Sequence, residues 1–244
     1  MRIAVITDVH ANLPALQAAL SVIRVEGCDA VYHMGDAIAI GPHPAECMDL
    51  LLSAPNVHPI MGNHDAWFAY GLPKPQPWWM NDGEVVHQRW VHAQLDPSLR
   101  SVVTQWPYVV QETFEGVRVA LLHYEPAATA SGFASFRRDY GPSDLDRVFG
   151  RHKADIVLYG HTHIASNVSG RARYVNPGSL GCHREAVARF IVLECIKGRY
   201  ALEKRAVPYD DRALLEAFKE RRVPERAFLY RAFFGGRYGS GQTQ

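Results

Sequence analysis

The sequence predicts an α/β fold in which a parallel sheet is flanked by helices. Two observations carry that prediction. Short apolar runs of strand length alternate with segments of helical periodicity in the N-terminal part of the chain. Most of those runs also end at residues suited to binding metal or phosphate: Asp8-Val9-His10, Gly35-Asp36, Gly62-Asn63-His64-Asp65, His123 and Gly160-His161-Thr162-His163. Polar groups gathered at strand ends form the rim of a sheet, where an α/β enzyme builds its site. Asn12 and Asn176-Pro177-Gly178-Ser179 belong to the set more loosely.

Residues 2–7 read as a buried first strand. Asn12 suits the N-cap of the next helix, with Pro14 tolerated in its first turn. Leu13, Leu16, Leu20 and Ile23 recur near helical spacing, and Gly27 stops the run. Residues 30–34 form a second strand ending at Gly35-Asp36, residues 44–53 suit a second helix, and residues 57–61 form a third strand ending at Gly62-Asn63. Residues 72–82 are rich in Pro and Trp and read as a loop, whereas residues 85–94 and 98–105 have helical character, with Asp96 or Ser98 as a cap for the latter. We read residues 66–105 as a helical insert lying near the site, within one domain spanning 1–234. Trp78, Trp79, Trp90 and Trp106 are read as packing groups rather than ligand-stacking groups.

Residues 108–113 and 117–122 flank Glu115-Gly116, a hairpin signal, and the second of these strands delivers His123. Ser143 suits the cap of a short helix ending near Gly150. Residues 155–159 form a strand that delivers His161 and His163, and residues 172–175 lead to Asn176. Residues 187–194 and 200–204 read as a late hairpin, residues 210–221 as an outer helix, and the glycine-rich end 235–244 as a frayed tail.

A chain of 244 residues that is 48% hydrophobic by composition can bury a substantial core. Its formal net charge of +1 gives no sign of a nucleic-acid binder. The basic run 219–226 is broken by acids and reads as a solvated helix face. Cys28, Cys47, Cys182 and Cys195 show neither paired metal-ligand spacing nor the density of a secreted scaffold, so we read them as reduced and structural. With no export signal and no membrane-spanning run in view, a cytoplasmic setting is expected. Phe228, Tyr230, Phe233 and Phe234 read as core packing, with a contact between copies of the chain as the alternative.

Asp8 and His10 stand two positions apart; at an extended strand end they would point the same way and reach one ion. His161 and His163 repeat that spacing just past a glycine. Gly35 would let the backbone pass close to a metal centre beside Asp36. Taken singly, each piece has a bland reading: an Asp can cap a helix or form a turn, and a lone His is usually structural. Taken together, oxygen and nitrogen ligands without thiolates fit zinc, manganese, iron or nickel better than a soft metal, calcium or magnesium.

This ordered set resembles that of the calcineurin-like metallophosphoesterases. Within the family the chain is most similar to small prokaryotic phosphoesterases and phosphodiesterases, on the stretch Gly35-Asp36-Ala37-Ile38-Ala39-Ile40-Gly41-Pro42 and on Asn176-Pro177-Gly178-Ser179. The resemblance implies a four-layer αββα sandwich of two mixed sheets flanked by helices. It also implies two metal ions, the first held by Asp8, His10 and His163, the second by Asn63, His123 and His161, with Asp36 and a water or hydroxide bridging them. By the same match His64 pairs with Asp36 beside the bound phosphate, and Asp65, where many members carry glutamate, orients His64 or shapes its loop. The Asp-Arg-Gly continuation of the serine/threonine protein phosphatases is absent after Asp36, which argues against a phosphoprotein substrate.

The expected activity is metal-dependent hydrolysis of a phosphate monoester or diester, by in-line attack of a hydroxide held by two ions about 3.5–4 Å apart. Asp36, His64 and Asp65 are the candidate catalytic residues. His64 would stabilise the phosphate or protonate the leaving group, help that is typically worth roughly 10²–10⁴-fold. Asn63, a neutral ligand, leaves more positive charge for the substrate. Asn63, Asn12 and Arg184 are the candidate substrate-binding residues, with Asn12 read also as a helix cap and Arg137 and Arg138 as further phosphate clamps. The expected partner is a small phosphorylated molecule, nucleotides included. The alternatives are a dinucleoside polyphosphate or nucleotide hydrolase, for which a matching arginine is missing, and a low-turnover binding or scaffold module.

Overall fold

The apolar run at the N-terminus becomes strand β1 (Arg2–Ile6). Ile3 and Val5 face one apolar cluster, whereas Ala4 and Ile6 face another. Both faces of β1 are therefore covered, which is why the run is continuously apolar rather than alternating. In this computed structural model of the chain the described residues are 1–127, 132–134 and 140–235. Arg137, Arg138 and residues 236–244 of the expected tail lie outside them.

Helix α1 (Leu13–Val25) starts where Asn12 accepts a bond from Ala15 N at 3.1 Å, with Pro14 in the first turn. Strand β2 (Ala30–His33), helix α2 (Pro44–Ser53) and strand β3 (Val57–Pro59) follow. Helices α3 (Asn63–Tyr70), α4 (Asp82–Ala93) and α5 (Leu99–Val103) occupy the next stretch. Strands β4 (Val109–Phe114) and β5 (Val117–Leu122) form the hairpin expected around Glu115-Gly116, both of which adopt positive φ. Helix α6 (Pro142–Phe149) then leads to strands β6 (Ile156–Tyr159), β7 (Ser166–Ser169) and β8 (Arg173–Asn176). The late hairpin is β9 (Val187–Ile196) and β10 (Arg199–Pro208), followed by helices α7 (Arg212–Glu220) and α8 (Arg226–Phe233).

The strands make two five-stranded sheets, ordered β10-β9-β1-β2-β3 and β4-β5-β6-β8-β7. In the first, β1, β2 and β3 are parallel and β9 is antiparallel to β1. In the second, β5, β6 and β8 are parallel, with antiparallel β4 and β7 at the edges. The sheets are thus mixed, with parallel centres. They pack face to face through a core that joins Ile3, Val5 and Ile191 to Val119, Leu121 and Leu158. On the outer face of the first sheet, Leu16, Ala19 and Met48 of α1 and α2 cover Ala4, Ile6 and Val192. On the outer face of the second, Leu145 and Phe149 of α6 cover Ala120, Val157 and Tyr174. The result is the α-β-β-α layering implied by the resemblance.

Several local expectations differ from this outcome. Helix α6 is preceded by Gly141 rather than capped at Ser143. The basic run 219–226 is not one helix face, because α7 ends at Glu220 and α8 begins at Arg226. Strand β7 and helix α8 were not legible: β7 is a short polar edge strand, and the apolar side chains of α8 follow directly on that charged run. Trp106 is buried as expected and the half-exposed Trp79 stacks on Trp67 at 6.0 Å, but Trp78 is 96% exposed, so a packing role does not describe it. Tyr230 and Phe234 are buried, whereas Phe228 is 48% exposed.

Candidate active site and metal centre

Asp8, Asp36 and Asn63 follow β1, β2 and β3, and His123 and His161 follow β5 and β6. Backbone bonds lace these loops together. Asp8 N donates to Gly35 O at 3.0 Å, His10 N to Asp36 O at 3.0 Å, and Gly160 N to His123 O at 2.8 Å. His161 N donates to Asp8 Oδ2 at 3.1 Å, tying the loop of one sheet to a carboxylate of the other. Gly35 and Gly62 make the close approach feasible. A Cβ on Gly35 would stand 2.6 Å from Gly62 Cα, and one on Gly62 would stand 2.3 Å from Asp36 Oδ1.

The backbone at the site is not extended strand. Asp8, His10, Asp36, His161 and His163 adopt φ of 54°, 49°, 58°, 69° and 59°. Asp and His tolerate this left-handed region better than most residues, yet each such residue still costs about 1–3 kcal/mol, which the surrounding structure must offset. The same-side argument from strand alternation is therefore replaced by loop geometry. Asp8 and His10 converge all the same, whereas His161 and His163 reach into different groups.

Two nests of ligand atoms result. In the first, His10 Nε2 lies 2.9 Å from His163 Nε2, and Asp8 Oδ1 lies 3.4 Å from His163 Nε2. In the second, Asn63 Oδ1, His123 Nε2 and His161 Nδ1 form a triangle with edges of 3.0, 3.1 and 3.1 Å. Asp36 Oδ2 stands between them, 3.2 Å from His123 Nε2 and 3.8 Å from His10 Nε2. Ligand atoms that share an ion at bond lengths of roughly 2.0–2.2 Å must lie about 3–3.5 Å apart, so the spacing suits a cation.

The donor chemistry fits as well. His123 Nδ1 lies 2.8 Å from Met34 O and donates to it, so Nε2 is the ring atom that faces Asn63 Oδ1, His161 Nδ1 and Asp36 Oδ2. Acceptors that converge in a buried place need a positive charge among them: the Nε2 proton of His123 supplies it in the metal-free protein, and a metal ion would take its place. Burial alone would lower His123, but Asp36 beside it outweighs that and raises it to about 9. The pocket thus draws positive charge, and a metal ion satisfies all three ligand atoms at once. Burial and then the charge of His123 lower His161 to about 3, and burial and then His163 hold His10 well below its usual range, so both rings are neutral at neutral pH, the form that can bind a metal. Burial opposes the ionised form of Asp36, but the surrounding imidazoles, His123 foremost, hold its carboxyl well below the usual carboxylate range.

His64 sits at the edge of the nests. Its backbone N–H donates to Asp36 Oδ1 at 2.9 Å, and its Nε2 lies 3.9 Å from Asp36 Oδ2. Gln88 Nε2 donates to His64 Nδ1 at 2.7 Å, an arrangement that leaves the ring proton on Nε2. Gln88 was not among the expected site residues, because nothing local in α4 links it to a histidine of α3. Cys182 was missed in the same way: its sulfur lies within ligand reach of His10 and His163, although burial pushes the thiol well up.

Asp65 does not touch the His64 ring in the bonds it makes. Its carboxylate accepts from Asp36 N at 2.7 Å, Ala37 N at 3.1 Å and Gly62 N at 3.1 Å. Of the two expected roles it takes the loop-shaping one and is a positioning residue. Burial and the charge of Asp36 push its carboxyl up to about 7, against the pull of those bonds. Asp65→Ala leaves three buried N–H groups without an acceptor and should destabilise the protein by about 1–3 kcal/mol or more, read as a lower midpoint in urea unfolding.

Of the two readings of Asn12, its bonds carry the helix cap. Its oxygen accepts from Ala15 N, and its amide protons go to Gly181 O at 2.7 Å and Tyr209 Oη at 2.8 Å, so no donor is left for a phosphate. Asn176 and Ser179 likewise brace the site from behind, bonding Gly160 O at 2.8 Å and Asp8 O at 2.7 Å. Arg184 is exposed and lines a cleft of about 450 Å³ together with Thr162, His163 and Asn63.

Comparison with known proteins agrees with this geometry. The chain is 27% identical over 250 residues to the uncharacterized protein MJ0912 of Methanocaldococcus jannaschii, covering 94% of this chain and 98% of that one. A metallophosphoesterase from Sphaerobacter thermophilus shares the fold with a TM-score of 0.70 at 23% identity, over 95% of this chain and 97% of that one. The hypothetical protein PH1004 from Pyrococcus horikoshii OT3 shares it with a TM-score of 0.79 at 19% identity, over 96% of this chain and 98% of that one. The family description "calcineurin-like phosphoesterase superfamily domain" matches residues 1–198. With that match and a group of His and Asp side chains able to hold metal, the chain belongs to the calcineurin-like phosphoesterase superfamily, a metal-dependent family whose membership supports phosphoester hydrolysis in general.

Proposed function

We propose that this protein is a dinuclear metal-dependent phosphodiesterase or phosphomonoesterase acting on a small phosphorylated molecule, with the cytoplasm as its setting. The observation that carries the reading is the position of Asp36, whose carboxylate is shared by two groups of potential ligands, one with His10 and His64 and one with His123 and His161. Asp8, His10 and His163 would hold one ion, Asn63, His123 and His161 the other, with Asp36 between them. Metal ions bound there would polarise the phosphoryl oxygens and lower the pKa of a water by several units. Manganese, zinc, iron and nickel all suit the donor set.

The chain's own residues supply the rest. His64, steadied by Gln88 at Nδ1, would turn Nε2–H toward the ester and give that proton to the leaving oxygen, or donate to an equatorial phosphoryl oxygen. Asn63 would contribute a neutral oxygen, and Arg184 would meet an anionic group at the cleft mouth. No helix among the described residues is long and apolar enough to cross a membrane.

The test pairs elemental analysis with a hydrolysis screen over monoesters, diesters, cyclic nucleotides and dinucleoside polyphosphates. About two ions per chain and metal-stimulated turnover of at least one ester class are expected. Full metal loading without turnover of any ester would defeat the enzymatic reading.

A further inference from the structure

Beyond His64 the metal cleft continues into a second chamber of about 290 Å³. The two spaces adjoin along Ile40, His64 and Phe233. The chamber walls combine aromatic faces with hydrogen-bond acceptors. Trp79 and Phe228 contribute rings that are 51% and 48% exposed. Glu84 and Glu225 contribute carboxylates, and no hydrogen bond or ion pair among the described residues reaches either of them. The Glu225 carboxylate lies over the first turn of α4, since a Cβ on Gly83 would stand 2.8 Å from Glu225 Cδ. Burial pushes the Glu84 carboxyl up from its usual range, against the pull of His64 nearby. Gln88, only 1% exposed, spends its amide nitrogen on His64 and leaves its carbonyl oxygen buried in the same wall with no partner. No lysine or arginine lines the chamber among the described residues.

Such a wall repels a second phosphate and favours a cation with an apolar body. Carboxylates accept hydrogen bonds from an ammonium group, and the aromatic faces attract its charge. The position beside His64 Nε2 is where a leaving alcohol would receive its proton. Resting on the phosphoesterase reading above, we infer that this chamber is the leaving-group subsite and that the substrate is a phosphodiester of a short amino alcohol. In that reaction water adds to phosphorus, the P–O bond to the amino alcohol breaks, and His64 protonates the departing oxygen. The products are a phosphate monoester and the free amino alcohol. The opposite end of the cleft, where Arg184 lies, takes the other ester arm.

The experiment uses the metal-loaded full chain and compares aminoethyl methyl phosphate with its neutral isostere propyl methyl phosphate, followed by phosphorus NMR, with bis(p-nitrophenyl) phosphate as a general diester. The expected kcat/KM ratio, amino over neutral, is about tenfold to a hundredfold, the span of a hydrogen-bonded charge, with ethanolamine rather than methanol released. In Glu84→Gln and Glu225→Gln the ratio falls, and in the double variant it approaches one. If the double variant cleaves neither ester, the single variants decide. Cleavage of bis(p-nitrophenyl) phosphate with equal use of the two alkyl esters overturns the chamber assignment alone. So does a ratio that survives in both Glu variants, or release of methanol instead of ethanolamine. Cleavage of none of the three, with metals bound, overturns the diester assignment, and the phosphoesterase reading itself falls when the monoesters of the screen are left intact as well.

Discussion

Asp36→Asn should remove most of the bound metal and lower hydrolysis by roughly 10³-fold or more, the loss expected when a charge-stabilising group at the reacting centre is deleted. The substitution is nearly isosteric. Its amide oxygen can still accept from His64 N, as Asp36 Oδ1 does at 2.9 Å, so the loop should stay in place. What disappears is the one negative charge that faces both nests, 3.2 Å from His123 Nε2 and 3.8 Å from His10 Nε2. Metal content by elemental analysis and turnover by phosphate release measure the two consequences separately. Undiminished turnover would refute the bridging role.

The metal-free protein offers an independent reading of the same contact. His123 rises to about 9 because the charge of Asp36 outweighs its burial. A histidine whose folded pKa exceeds its unfolded value contributes stability that is complete below the unfolded pKa, about 6.5, and is lost as pH climbs through the folded one. Metal-free wild type should therefore lose that contribution between about pH 6.5 and 9, on the order of 3 kcal/mol. Asp36→Asn should flatten this decline in urea unfolding. An unchanged slope would mean that the two side chains are not coupled.

His64→Ala should slow hydrolysis by roughly 10²–10⁴-fold while leaving both ions bound. The ring lies at the rim of the nests, with Nε2 3.9 Å from Asp36 Oδ2 and Nδ1 engaged by Gln88 at 2.7 Å. If its task is to protonate the leaving oxygen, the loss should be larger for alkyl esters than for p-nitrophenyl esters, whose leaving group departs without a proton. An equal loss for both would favour stabilisation of the phosphoryl oxygens instead. Gln88→Leu should produce a weaker version of the same pattern, about tenfold, because the ring remains but is no longer held. Loss of metal in step with His64→Ala would contradict its assignment to the substrate side.

The residues that meet at the site were legible because most of them follow a recognisable apolar run, and a family resemblance grouped them as a candidate ligand set. Asp8, Asp36 and Asn63 follow β1, β2 and β3, and His123 and His161 follow β5 and β6. The route was less sound than the destination for the pairs spaced two apart: they converge through left-handed loop residues, not through strand alternation. Gln88, Cys182 and the chamber carboxylates were not legible. Their partners lie 24 residues away for Gln88 and His64, and no local periodicity encodes such a contact.

From its residues alone this chain determined its α/β character, the hairpins, and, through a family resemblance, the donor atoms that meet at the sheet rim. These follow from short-range rules: burial sets the period of a strand, and ligand chemistry is carried by side-chain type. Only the tertiary structure decided that Asn12 is spent on Gly181 and Tyr209, that Asp65 braces a loop, and that α4 and α8 enclose an acidic aromatic chamber beyond His64. Those outcomes depend on which distant surfaces are pressed together, and that is set by the packing of the whole core rather than by any one stretch of chain.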